Sequence, residues 1–205
     1  MGTLDVAMPL SNFALDTFVA QKLSELTAPT ATSVAKEFPG LDAWLTTFVL
    51  NTIFRLNLPQ DRTALAFALL RRAQAAIEDY DDACGALLLV VERQKTVSQY
   101  FRALRKFEVA IAMLYQAFDF GRKALRSKLF EQKDGTPYER LNLIYNDSRH
   151  TDVSSLPLGH LHAVWLQNDG IYTHGVALRF GELEDLLREM GRIAEQISAG
   201  GADII

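Results

Sequence analysis

Apolar residues recur at helical spacing along most of this chain, and the rhythm breaks mainly where prolines and glycines fall. The first 60 residues hold four of the six prolines and predict short helices at about 10–26, 30–38 and 41–56, with breaks at Thr27-Ala28-Pro29, Pro39-Gly40 and Leu58-Pro59. No proline falls between 60 and 136. There Leu65, Leu69, Ala73, Ala76, Ile77, Tyr80, Cys84, Leu87, Leu88 and Val91 predict one long helix over about 60–94, with Asp61 as its N-cap. Phe101, Leu104, Phe107, Ile111, Leu114, Tyr115 and Phe118 predict a second over about 98–125. The link Gln94-Lys95-Thr96 is short, so the two helices are expected to pack antiparallel.

Lys133-Asp134-Gly135-Thr136-Pro137 reads as a turn that opens a further helix, with Thr136 as N-cap and Pro137 at the first helical position. That helix is expected to end near Thr151-Asp152. The pattern then changes period. His162–Leu166 and Ile171–Val176 flank Asn168-Asp169-Gly170, a β-hairpin signal that needs a bundle to pack on. A last helix over about 181–198 shows Leu183, Leu186, Leu187, Met190, Ile193, Ala194 and Ile197 on one face, with acids early, where the helix dipole favours them. The expected fold is thus mainly α: a helical bundle with two long antiparallel helices and a small C-terminal β-hairpin. It reads as one domain over 1–205, with short N-terminal helices in 1–57, a helical core in 60–152, and the hairpin and last helix in 153–198.

Composition narrows the class without choosing a function. With 205 residues, 49% hydrophobic and 22% charged, the chain can bury one substantial core. No apolar run approaches the ~20 residues of a membrane span, and no signal-peptide pattern opens the chain. A soluble, cytoplasmic protein with no membrane partner is the expectation. The single cysteine, Cys84, cannot form an internal disulfide, and its small apolar neighbours mark it as a buried hydrophobe. The net charge is −4, but residues 93–149 carry twelve cations against six acids. Within that basic segment Arg102, Arg105, Lys106, Arg122 and Arg126 would favour an anionic ligand if they cluster, with Arg140 a further candidate; solvated helix faces are the alternative.

The richest polar cluster is Asn146-Asp147-Ser148-Arg149-His150, beside an apolar stripe of Leu141, Ile144 and Tyr145. On a continuous helix Asn146 and His150 would meet, with Arg149 beside Asn146. A histidine, an amide and a cation together could hold a phosphate or move a proton; a capped, solvated helix end is the alternative. His160, His162 and His174 could share one face of a hairpin as metal ligands, but exposed hairpin residues are the better reading, and no metal or cofactor is expected. Trp165 and Tyr172 read as docking residues against the bundle. There is no Gly-rich phosphate loop, Gly-x-Ser-x-Gly element or Glu-x-x-His motif.

Phe107-Glu108, Tyr115-Gln116-Ala117-Phe118-Asp119-Phe120 and the helix end Tyr145–His150, set on an antiparallel pair of long helices, resemble the HEPN superfamily of helical bundles over residues 60–152. The resemblance implies a dimer whose motif-bearing helices face each other. In active members it implies metal-independent RNA cleavage by an Arg, four to six residues beginning with a polar one, and a His. Carried over, the histidine is His150 and the polar residue Asn146. The arginine would fall at Tyr145, Ile144 or Leu143, none of them cationic. Arg149 or Arg140 would have to substitute for it.

The resemblance therefore implies a non-catalytic relative, a homodimeric binding module with an RNA, nucleotide or protein partner. The sites would lie at His150, Asn146 and Arg149, with Arg140, Tyr145, Arg102 and Arg105 as ligand contacts. The alternatives are a divergent endoribonuclease using His150 and a plain interaction scaffold.

Overall fold

The computed structural model describes residues 11–54, 59–92, 96–150, 156 and 161–200. Among them are helices α1 (Asn12–Ala14), α2 (Trp44–Phe54), α3 (Gln60–Glu92), α4 (Val97–Leu125), α5 (Pro137–Arg149) and α6 (Phe180–Ser198), and strands β1 (Trp165–Gln167), β2 (Gly170–Thr173) and β3 (Val176–Arg179). The fold is mainly α, with one small antiparallel sheet in the order β1-β2-β3. No described helix is long and apolar enough to cross a membrane.

α3 and α4 are antiparallel. Asp82 pairs with Lys106 at 2.5 Å, the ring of Tyr80 lies 5.7 Å from that of Phe107, and Arg72 reaches Met113, so one index falls as the other rises. Tyr80, Ile77, Leu70, Phe107, Ile111 and Leu114 are fully buried along the seam. Each such side chain contributes roughly 1.5–3 kcal/mol of burial. Thr96 caps α4 by accepting from Gln99 N–H, and Thr136 caps α5 by accepting from Glu139 N–H, with Pro137 behind it. α3 begins at Gln60, so Asp61 sits inside its first turn rather than at the cap. Burial pushes the Cys84 thiol up to about 12, as befits a side chain closed into the core.

The N-terminal third departs from two of its three expected helices. In place of a helix over 10–26 there is α1, a π turn at Leu15–Val19 and a 3₁₀ turn at Leu23–Glu25, with Lys22 in the left-handed region. Over 30–38 only Ala35–Glu37 is helical, again as 3₁₀. A 3₁₀ turn at Leu41–Ala43 leads into α2, which ends at Phe54 among the described residues. The cause is long-range docking. The Asn168 side chain accepts from the N–H groups of Thr27 and Ala28, both at 2.9 Å, and donates to Glu25 O. Buried Glu184 on α6 accepts from Thr32 N–H at 2.8 Å and from the Tyr80 hydroxyl at 3.0 Å. Phe38 packs on Gly191, where any Cβ would lie 2.3 Å from its ring. These bonds satisfy backbone groups that a helix would have paired with its own turns. Leu23, Leu26, Val34, Phe38, Trp44 and Phe48 thereby join the same core as α3 and α4.

The expected hairpin gains a third strand. Its first turn is Asn168-Asp169, and a second turn at His174-Gly175 sends the chain back as β3. His174 thus lies in a turn and not in a strand. Gly170 is required by packing, because a Cβ there would lie 2.4 Å from Leu178 O. Trp165 pairs across the sheet with Tyr172, their rings stacked at 6.4 Å. Tyr100 of α4 accepts from Leu166 N–H at 3.0 Å, which fixes the sheet to the bundle.

Candidate functional site

α5 packs antiparallel on α4. Phe118 meets Tyr138 edge-on at 5.0 Å, and Tyr115 stacks on Tyr145 at 4.7 Å. The C-terminal end of α5 therefore runs toward the part of α4 that carries Glu108, about 10 Å below Tyr115 at 1.5 Å per residue. α5 ends at Arg149, and His150 is its C-cap, with extended backbone at φ −116° and ψ 101°. The expected end near Thr151-Asp152 falls on residues outside those described.

This cap changes the motif. The bond between Asn146 and His150 runs from His150 N–H to Asn146 O. The Asn146 amide donates instead to Asn142 at 3.2 Å. Arg149 folds back over Tyr145, its guanidinium carbon 5.2 Å from the ring centroid and Nη1 donating to the hydroxyl at 2.6 Å. Tyr145 is buried, while Asn146, Arg149 and His150 are exposed. Arg140 lies at the other end of α5, bonded to Glu182 of α6 and to Gly135 O. Within one chain, then, Asn146, Arg149 and Arg140 are each turned to an intrachain partner. Their donors do not converge on a phosphate-sized space.

Arg102 and Arg105 sit exposed near the start of α4. Arg102 and Arg126 are separated by about 36 Å of helix. The described cations of α4 and its cap therefore fall into two groups rather than one patch. At the far end Arg122 and Lys123 both bind Asp119, at 2.8 and 2.5 Å, and hold its carboxyl below the usual range despite partial burial.

Two features were not singled out as sites from the sequence. The first is a half-buried acid–base pair. Glu108 Oε1 lies 3.5 Å from His162 Nε2, too long for a strong hydrogen bond. His162 Nδ1 lies 3.1 Å from both the nitrogen and the oxygen of Val164, and its ring sits 5.9 Å from Phe101. Burial raises the Glu108 carboxyl to about 7, and burial lowers His162. The signal lay in the run Phe107-Glu108-Val109-Ala110-Ile111, where one acid interrupts apolar residues. Its histidine partner comes from 54 residues downstream, which no local pattern announces. His160 lies outside the described residues, and among those described no group of three His, Cys, Asp or Glu could hold a metal ion.

The second feature is surface shape. α2 has no charged residue, and its outer face exposes Val49, Leu50, Ile53 (66%) and Phe54 (77%). Beside it runs a groove lined by Phe48, Val49, Thr52, Ile53, Gln60, Thr63, Ala64 and Phe67, all uncharged. A further apolar pocket opens between α3, α4 and α6. No family model, curated protein or solved structure matches the chain.

Proposed function

We propose that this chain is a non-catalytic, HEPN-like binding module that works as a homodimer. The observation that carries the reading is the outer face of α2. Trp44 and Phe48 hold the helix to the core, with Ser198 Oγ donating to Trp44 O and Asn51 donating to Ser198 O. Val49, Leu50, Ile53 and Phe54 are left outside. Clustered exposed apolar side chains of this size mark association surfaces. A second copy is the occupant that fits. Among the described residues the face and its groove are uncharged, so these parts of two identical surfaces meet without like-charge repulsion, and Phe54 of one copy has an apolar groove to enter on the other. α2 rather than α5 is the proposed contact, because the polar end of α5 is engaged within its own chain. An RNA or nucleotide ligand would then be held by exposed cations such as Arg102 and Arg105, without cleavage.

Two measurements test this together. Light scattering on wild type should give a dimer mass, and Ile53→Asp with Phe54→Asp should give a monomer with unchanged circular dichroism. A monomeric wild type at high micromolar concentration would refute the dimer. Total RNA incubated with wild type in EDTA should remain intact. Cleavage that His150→Ala abolishes would transfer the function to the ribonuclease reading.

A further inference from the structure

The pocket between the N-terminal half of α3, the C-terminal end of α4, the loop that follows and α6 has a volume of about 180 Å³. Cavities of about 150 Å³ lined by Leu, Ile and Phe admit a benzene-sized molecule. Leu65, Leu69, Phe118, Met190, Ile193 and Ile197 make its apolar lining. Its polar members are Arg122, Ser127, Lys128, Tyr138 and Glu189.

Gly121 indicates that the space is kept open. It lies inside α4, where glycine weakens a helix relative to alanine. Packing does not require it: an added Cβ would meet only Leu69 Cδ1, at 3.4 Å, an ordinary contact. What a side chain there would consume is the pocket.

The polar members favour an anion. Glu189 is the one acid in the lining, against the two cations Arg122 and Lys128. Lys128 makes only an exposed pair with Glu131 at 3.0 Å, with both side chains more than two-thirds exposed, so its ammonium can reorient at little cost. Arg122 uses Nε and Nη2 on Asp119 and has further donors in its planar fork. Lys123 and Arg126 add positive charge on the same helix end.

We propose that this pocket binds an amphiphilic monocarboxylate, with its alkyl chain or single ring in the apolar lining and its carboxylate on Lys128 and Arg122. The proposal rests on the binding-module reading and names a ligand class for it.

Octanoate is the probe, with octanol as the control lacking the charge. In ten- to hundredfold excess over its Kd, octanoate should raise Tm by roughly 3–10 °C, with octanol binding about tenfold more weakly. Gly121→Leu should abolish the octanoate shift by filling the pocket. Should that variant fail to fold, Arg122→Gln with Lys128→Gln, both at the surface, should weaken octanoate about tenfold and leave octanol unchanged. No octanoate shift, equal shifts with the two probes, or a shift that survives in folded Gly121→Leu would each overturn the proposal. Dimer mass separates the two readings. A dimer that ignores octanoate loses this site alone, and a monomer that binds octanoate keeps the site and loses the dimer.

Discussion

Residues 60–125 and residues 11–54 place large side chains in the same core: Tyr80, Leu70 and Phe107 from the first, Leu23, Val34 and Phe48 from the second. They do so by opposite means. The α3/α4 hairpin pairs its backbone within each helix and uses its buried side chains mainly for packing. Before α2 the N-terminal segment has little regular structure and borrows its partners, from Asn168 in the sheet turn and from Glu184 and Gly191 on α6. Burial in the first region follows from local periodicity. Burial in the second follows from groups more than a hundred residues away, so the order of residues 11–54 depends on the sheet and α6 being in place.

The largest effect should come from the hairpin. Phe107 is fully buried, with Tyr80 on one side and Phe180 of α6 at 5.3 Å on the other. Phe107→Ala should cost about 3–5 kcal/mol in urea unfolding and destabilise the whole chain in one transition. An early, separate loss of the N-terminal segment would show that the two regions are less tightly joined than described.

Next comes the polar interruption in that apolar hairpin. The Glu108 carboxyl is raised from 4.5 to about 7, so the folded chain holds this proton more tightly than the unfolded one. Stability from Glu108 is therefore present below pH 4.5 and is lost as pH rises toward 7. His162, lowered by burial, acts in the opposite sense, favouring the folded state less as pH falls through 6.5. Glu108→Gln should stabilise the chain at pH 8 by on the order of 2–3 kcal/mol, with the gain shrinking by pH 5. Equal urea midpoints for wild type and variant at pH 8 would mean that Glu108 is well solvated.

The smallest effect tests the borrowed order. Asn168→Ala removes two acceptor bonds and one donor bond to Glu25, Thr27 and Ala28. These groups are near solvent, so the cost should be about 1–2 kcal/mol and local. Hydrogen exchange should quicken at the Thr27 and Ala28 amides while the amides of α3 and α4 keep their protection. Unchanged exchange at Thr27 and Ala28 would show that Phe38 on Gly191 and Thr32 on Glu184 hold the segment without Asn168.

Local spacing was enough to specify the long helices: 60–94 expected against Gln60–Glu92, and 98–125 against Val97–Leu125. It also determined the Thr136-Pro137 start, a hairpin turn within Asn168-Asp169-Gly170 and the apolar face of α6. Each is written in spacing or capping chemistry within a few residues, and the physics that selects it is local. Tertiary structure alone decided the rest. It broke 10–26 and 30–38 into turns, because their backbone groups found distant partners. It added β3 and put His174 in a turn. It capped α5 at His150, leaving Arg149 on Tyr145 instead of beside a phosphate. It set Glu108 against His162 and left α2 half uncovered. These outcomes depend on which surfaces meet, and one-dimensional spacing carries no term for that.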